Sequence, residues 1–119
     1  MTGALLSCGA KVAVFDVAPK GDFESNDNLL VLTVDVTRRD SIEAGLREVI
    51  SRWGTPHGLI NNAALDAPPN APAEETGPFE SYPESSWDKV MQVNTKGVFT
   101  IYVQFRSMLI ILKTCGWFW

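Results

Sequence analysis

Asp16, Asp35, the pair Asn61-Asn62 and Asn94 are the polar side chains whose settings allow chemistry. Asp16 closes the apolar run Lys11-Val12-Ala13-Val14-Phe15. A carboxylate at a strand's carboxyl end can accept hydrogen bonds from the hydroxyls of a ribose; the plain alternative is a solvated strand-end acid. Asp35 closes a second run, Leu29 to Val34. It can accept from an adenine amino group, with Val36 beside it as an apolar face for the ring, or it can cap the following helix. Asn61 and Asn62 end a third run, Gly58-Leu59-Ile60, and are followed by Ala63-Ala64. Buried amides need hydrogen-bond partners, so two in a row at a strand end ask for backbone or a ligand. Small residues there let a flat ligand approach the backbone. Asn94 interrupts an apolar helical stripe just before Thr95-Lys96-Gly97, as an interhelix hydrogen bond or as a site residue.

The elements that must position these groups follow from hydrophobic spacing and turn chemistry. Residues 2–8 read as the last turns of a helix closed by Gly9, a left-handed cap. Strands follow over 11–16 and 29–34, with a polar, turn-rich connector over 17–28. A helix runs from about Asp40, its N-cap with Glu43 in capping-box position, to Trp53. Ile42, Leu46, Val49, Ile50 and Trp53 share one face, and Gly54 and Pro56 end it. A third, buried strand covers 58–61. Residues 65–86 hold Pro68, Pro69, Pro72, Pro78 and Pro83 with four glutamates, a long acidic excursion that is either functional or partly disordered. The last helix starts near Ser85 with a stripe of Trp87, Val90, Met91, Asn94, Val98, Ile101, Tyr102 and Phe105. Strands alternating with helices imply a parallel, doubly wound α/β sheet.

Bulk properties remove several function classes. With 119 residues the chain makes one domain with a modest core. A net charge of −4 and no Lys/Arg cluster argue against nucleic acid. The run Met108 to Leu112 is far shorter than the ~20 apolar residues of a bilayer span. Cys8 and Cys115 fall in no metal-ligand or disulfide spacing, and no leader pattern opens the sequence, so the expectation is a cytoplasmic protein with no membrane partner. His57, beside Pro56, reads as a loop residue rather than a base.

Taken together, the stretches Gly9 to Asp16, Val34-Asp35-Val36-Thr37, Asn61-Asn62-Ala63-Ala64 and Trp87 to Phe99 closely resemble the short-chain dehydrogenase/reductase family. They occur in the family's order over residues 3–105. The resemblance implies a Rossmann-type sheet and NAD(P)-linked hydride transfer with a small alcohol or ketone. It implies that Asp16 binds the adenosine ribose, that Asp35 and Val36 form the adenine pocket, and that Asn62 and Ala63 lie along the cofactor, with Asn61 steadying the strand end. Asn94 matches the family's catalytic Asn, which helps hold a proton-relay water. An anion at Asp16 favours NAD over NADP. Ala64 stands where many members have Gly.

The resemblance also has gaps. The family's TGxxxGxG loop and the first strand before it have no counterpart, and neither does YxxxK: Tyr82 and Tyr102 are followed four residues on by Ser86 and Arg106. The expectation is a partial Rossmann-type domain over 1–119, family-like to about 105, with a divergent tail over 106–119. That tail is either the mark of a truncated, inactive form or a diverged fifth strand at 108–112. Without its usual neighbour, strand 58–61 either leaves the fold marginal or moves against strand 11–16. A second function reading is a non-catalytic fragment that binds intact relatives, or its own copy as a homo-oligomer, through the helix at 87–105.

Overall fold

The computed structural model describes residues 1–19, 26–66 and 71–113, with side chains through Met108. Helix α1 (Thr2–Ser7) leads into strand β1 (Val12–Asp16). Gly9, at φ 79°, turns the chain between them. Its N–H donates to the Leu6 carbonyl and that of Ala10 to the Leu5 carbonyl, the paired bonds of a Schellman cap. Strand β2 (Leu29–Thr33) lies parallel to β1, from Val12 opposite Leu29 to Asp16 opposite Thr33. The middle of the 17–28 connector falls outside the described residues.

Helix α2 (Arg39–Trp53) buries Ile42, Gly45, Leu46 and Val49 against the sheet. Gly45 is required by closeness: a Cβ there would meet Val34 Cγ2 at 2.8 Å and the Phe15 ring at 2.9 Å. Gly54, at φ 82°, ends the helix as expected. The N-terminus differs from expectation. Arg38 occupies the N-cap, and Asp40 lies one residue inside the helix, accepting from Arg38 instead of capping. Glu43 faces Arg39 at 3.8 Å rather than closing a capping box.

Residues 58–61 do not form the expected third strand. The sheet has two strands, β1 and β2, among the described residues, and 56–66 carry no regular structure. Nor has this segment moved onto β1. A strand exists only where a neighbour takes its ladder bonds, and among the described residues none pairs with this segment. Leu59 still packs on the core, whereas Ile60 is 57% exposed and Asn61 through Leu65 are exposed.

Residues 67–70 of the acidic excursion lie outside the described residues. The excursion contains α3 (Ala73–Thr76) and a 3-10 turn at Phe79–Ser81. The buried Ser86 hydroxyl donates to Glu75 Oε1 at 2.5 Å, tying α3 to the next helix. The final rod comprises α4 (Glu84–Met91), a π-helical segment over Gln92–Gly97, and α5 (Val98–Lys113). Residues 108–112 are therefore helical, not a fifth strand. The extra residue of the π turn shifts the phase of the apolar stripe. Ile101 and Phe105 enter the core beside Val34, Ile42 and Leu46, while Trp87 and Tyr102 are 51% and 54% exposed. Gln104, 4% exposed, joins α5 to α2: with its amide turned to match its neighbours, the oxygen accepts from Arg39 Nε and the nitrogen donates to Glu43 Oε1.

Candidate functional site

Two strand ends and one helix converge on the candidate residues. The parallel register sets Asp16 and Asp35 on the same edge of the sheet, and the Asp16 carbonyl accepts the Val34 N–H at 3.0 Å. Both acids close the same local turn. Asp16 Oδ1 accepts the Ala18 N–H at 2.8 Å. Asp35 Oδ1 accepts the Thr37 N–H at 2.8 Å and its hydroxyl at 2.6 Å. Such Asx turns stop a strand and aim the chain away from it. The Thr37 hydroxyl, then its N–H, hold the Asp35 carboxyl below the usual carboxylate range. Ser41 Oγ accepts the Asp35 N–H at 3.0 Å, fixing this turn against the start of α2.

Val36 packs on the π segment. A Cβ on Gly97 would stand 3.0 Å from Val36 Cγ2, so Gly97 is what lets the helix come this near. One turn earlier, Asn94 reaches the segment after Ala64. Its Oδ1 accepts the Leu65 N–H at 2.7 Å and its Nδ2 donates to the Leu65 carbonyl at 2.9 Å. A side-chain amide here replaces a strand neighbour, satisfying both backbone groups of one residue. A π turn redirects a side chain without breaking a helix, which is why such turns cluster at functional positions.

The structure thus joins Val36 to the helix of Asn94 and brings Asp35 with it. It places Asp16 along the same edge. It leaves Asn61, Asn62 and Ala63 exposed, close in sequence to the Leu65 anchor but without the buried amide environment expected of them. His57 is exposed in the loop after α2, as its sequence setting implied. Among the described residues no group of three or more His, Cys, Asp or Glu is arranged to hold a metal, and no helix is long and apolar enough to cross a membrane. Sequence reasoning missed Leu65, whose backbone carries no side-chain signal. It also missed Gly97, whose signal is its place three residues after Asn94.

Known proteins are similar to this chain in sequence and in fold. The sequence model described as short chain dehydrogenase matches residues 1–114. Sorbitol-6-phosphate 2-dehydrogenase of Klebsiella pneumoniae is 30% identical over 97 residues, 80% of this chain and 36% of that protein. Levodione reductase of Leifsonia aquatica is 30% identical over 90 residues, covering 76% and 29%. Acetoacetyl-CoA reductase of Synechocystis is 31% identical over 94 residues, covering 79% and 35%. The chain therefore spans about a third of the length of these relatives. A solved short-chain dehydrogenase from Novosphingobium aromaticivorans superposes with a TM-score of 0.76 at 25% identity, over 97% of this chain and 43% of that one.

Proposed function

The chain belongs to the short-chain dehydrogenase family, and from that membership we propose that its residues form the adenosine half of a nicotinamide-dinucleotide site for alcohol or ketone hydride transfer. The observation that supports this most is the pair Asp16 and Asp35 on one edge of two register-paired parallel strands. Ligands of open α/β sheets lie outside that edge. When bound, the cofactor supplies the hydride acceptor or donor. Asp16 accepts hydrogen bonds from the adenosine ribose hydroxyls. Asp35 offers Oδ2 to the adenine amino group, its Oδ1 being given to Thr37, and Val36 supports the ring. Asn62 and Ala63 line the cofactor, and Asn61 steadies the segment. Asn94 takes the place of the family's catalytic Asn as a positioning residue, since both ends of its amide hold Leu65.

The donor set also bears on the cofactor. A carboxylate suits a ribose diol and repels a 2′-phosphate, so NAD is preferred to NADP. The family's glycine-rich loop and Tyr–Lys pair have no counterpart in these residues, so we assign them binding without turnover when they stand alone. The exposed thiol of Cys8 fits a reducing, cytoplasmic setting. Titration of the chain with NADH and NADPH tests the reading. We expect saturable NADH binding, weaker NADPH binding, and loss of the NADH preference in Asp16→Ala. Equal binding of both cofactors, or of neither, would refute it.

A second reading has its own observation. Trp87, Phe99 and Tyr102 on the final rod are 51%, 65% and 54% exposed. Apolar side chains grouped on one helix mark an interaction face. This supports association through the helix at 87–105, with an intact relative or with its own copy.

A further inference from the structure

A cleft lies between the start of α2 and the final rod. Its cavity is about 310 Å³, at the lower end of the size that holds small molecules. Arg39, Lys96, Phe99 and Val103 line it, whereas Asp16, Asp35 and Val36 do not. Lys96, Phe99 and Val103 stand three and four residues apart, so they share one face of the rod. The polar groups of the cleft differ in what they still have to give. Thr37 spends its hydroxyl proton on Asp35, and Thr100 spends its own on the Lys96 carbonyl. Arg39 is held from behind by the buried Gln104. With that amide turned to match its neighbours, its oxygen accepts from Arg39 Nε and, at 2.9 Å, from Nη2. Nη1 of Arg39 and the Lys96 ammonium are then the unspent cationic donors of the cleft among the described residues. Glu43, 3.8 Å from Arg39 Nε, balances one of these two charges. Arg38 and Asp40 neutralise each other. One positive charge is left over.

We propose that this cleft binds a small organic monoanion: a single carboxylate, taken by Lys96 and Arg39 Nη1, on a flat or branched apolar body that covers Phe99 and Val103. The site is separate from the cofactor edge and does not depend on it. A carboxylate accepts from both donors, and such charge-assisted bonds are about twice as strong as neutral ones. One surplus charge suits a monoanion better than a phosphate dianion, whose second charge would meet Glu43 and Asp35 without compensation. Gln104 sets the guanidinium in place beforehand, so less side-chain freedom is lost on binding. Phe99, 65% exposed, offers a ring on which an apolar body can lie. A neutral ligand of the same shape would leave both cations without an acceptor.

Amide and side-chain resonances of the isotopically labelled full chain, followed at constant ionic strength during titration with sodium benzoate, benzamide and sodium acetate, test the site. We expect benzoate to shift the Lys96, Thr100 and Gln104 signals saturably. Benzamide keeps the ring and loses the charge, and should bind about fivefold more weakly. Acetate keeps the charge and loses the ring, and should bind about tenfold more weakly. Lys96→Gln should weaken benzoate about fivefold. Lys89→Gln, on the same rod but outside the cavity, should leave it unchanged. Both lysines are exposed, and the spectra without ligand verify that each variant keeps the fold. Benzamide that binds as tightly as benzoate, or Lys96→Gln that binds benzoate unimpaired, overturns the recognition of charge. Acetate that matches benzoate overturns the apolar body and with it the ligand class. Signals that do not move, or that drift without saturating, overturn the site.

Discussion

Asp35 shows how one side chain serves a turn and a candidate ligand contact together. Thr37 binds Oδ1 through its hydroxyl and its N–H, and these bonds lower the carboxyl's pKa. A carboxyl with a depressed folded pKa contributes stability above its unfolded value near 3.9, and loses it as pH falls through the folded value. Thr37→Val removes the larger cause and keeps the N–H bond. We expect it to cost about 1 kcal/mol at neutral pH and to flatten the acid limb of the stability curve below about pH 4. Urea melts of both proteins from pH 7 down to 2 measure this, and parallel acid limbs would contradict it. Asp35 itself was legible as a strand-end acid, because strand ends leave a pattern in neighbouring residues. The partner of Asn94 was not: it is a backbone 29 positions away, and no local spacing encodes it.

The elements whose cause is local were those the sequence could show. The Gly9 and Gly54 turns, strands β1 and β2, and the buried face of α2 all follow from nearby residues. The segment at 58–61 failed as a strand because strand formation depends on a partner, which is not a property of the segment. The stripe along the final rod was drawn at constant helical period, and the π turn over Gln92–Gly97 breaks that period. Gly45 decides how near α2 approaches the sheet. In an exposed helix, Gly→Ala gains about 1 kcal/mol of helix propensity. Here the added methyl meets Val34 and Phe15 at under 3 Å, and overpacking costs about 1–3 kcal/mol. We expect Gly45→Ala to lower the melting temperature. A rise would mean that Phe15 moves aside freely.

The whole molecule is open for its length. Its radius of gyration is 17.3 Å, against about 13.5 Å for a compact domain of this size. Its accessible surface is 8954 Å², against roughly 6,400 Å². Val12 to Phe15 and Leu29 to Leu32 are all only half-buried, so both strands lack full cover. Unfolding should therefore release less heat-absorbing contact than in a compact domain, for which about 0.7 kcal/mol per residue is usual near 60 °C. Scanning calorimetry of the chain alone should give a broad transition well under that enthalpy; a sharp one at full size would show a core tighter than the structure describes. Among the described residues one edge of β1 has no neighbouring strand, and such an edge is a template for added strands. The two ties made by Asn94 to Leu65 and Ser86 to Glu75 have a different outcome. They clamp the acidic excursion at its base. Both ties lie apart from the strand ends at Asp16 and Asp35, and doubling the length of a flexible loop in general costs only about 0.6 kcal/mol. The excursion is thus a permissive insertion point, where new sequence can be grafted or old sequence exchanged while the edge bearing Asp16 and Asp35 keeps its geometry.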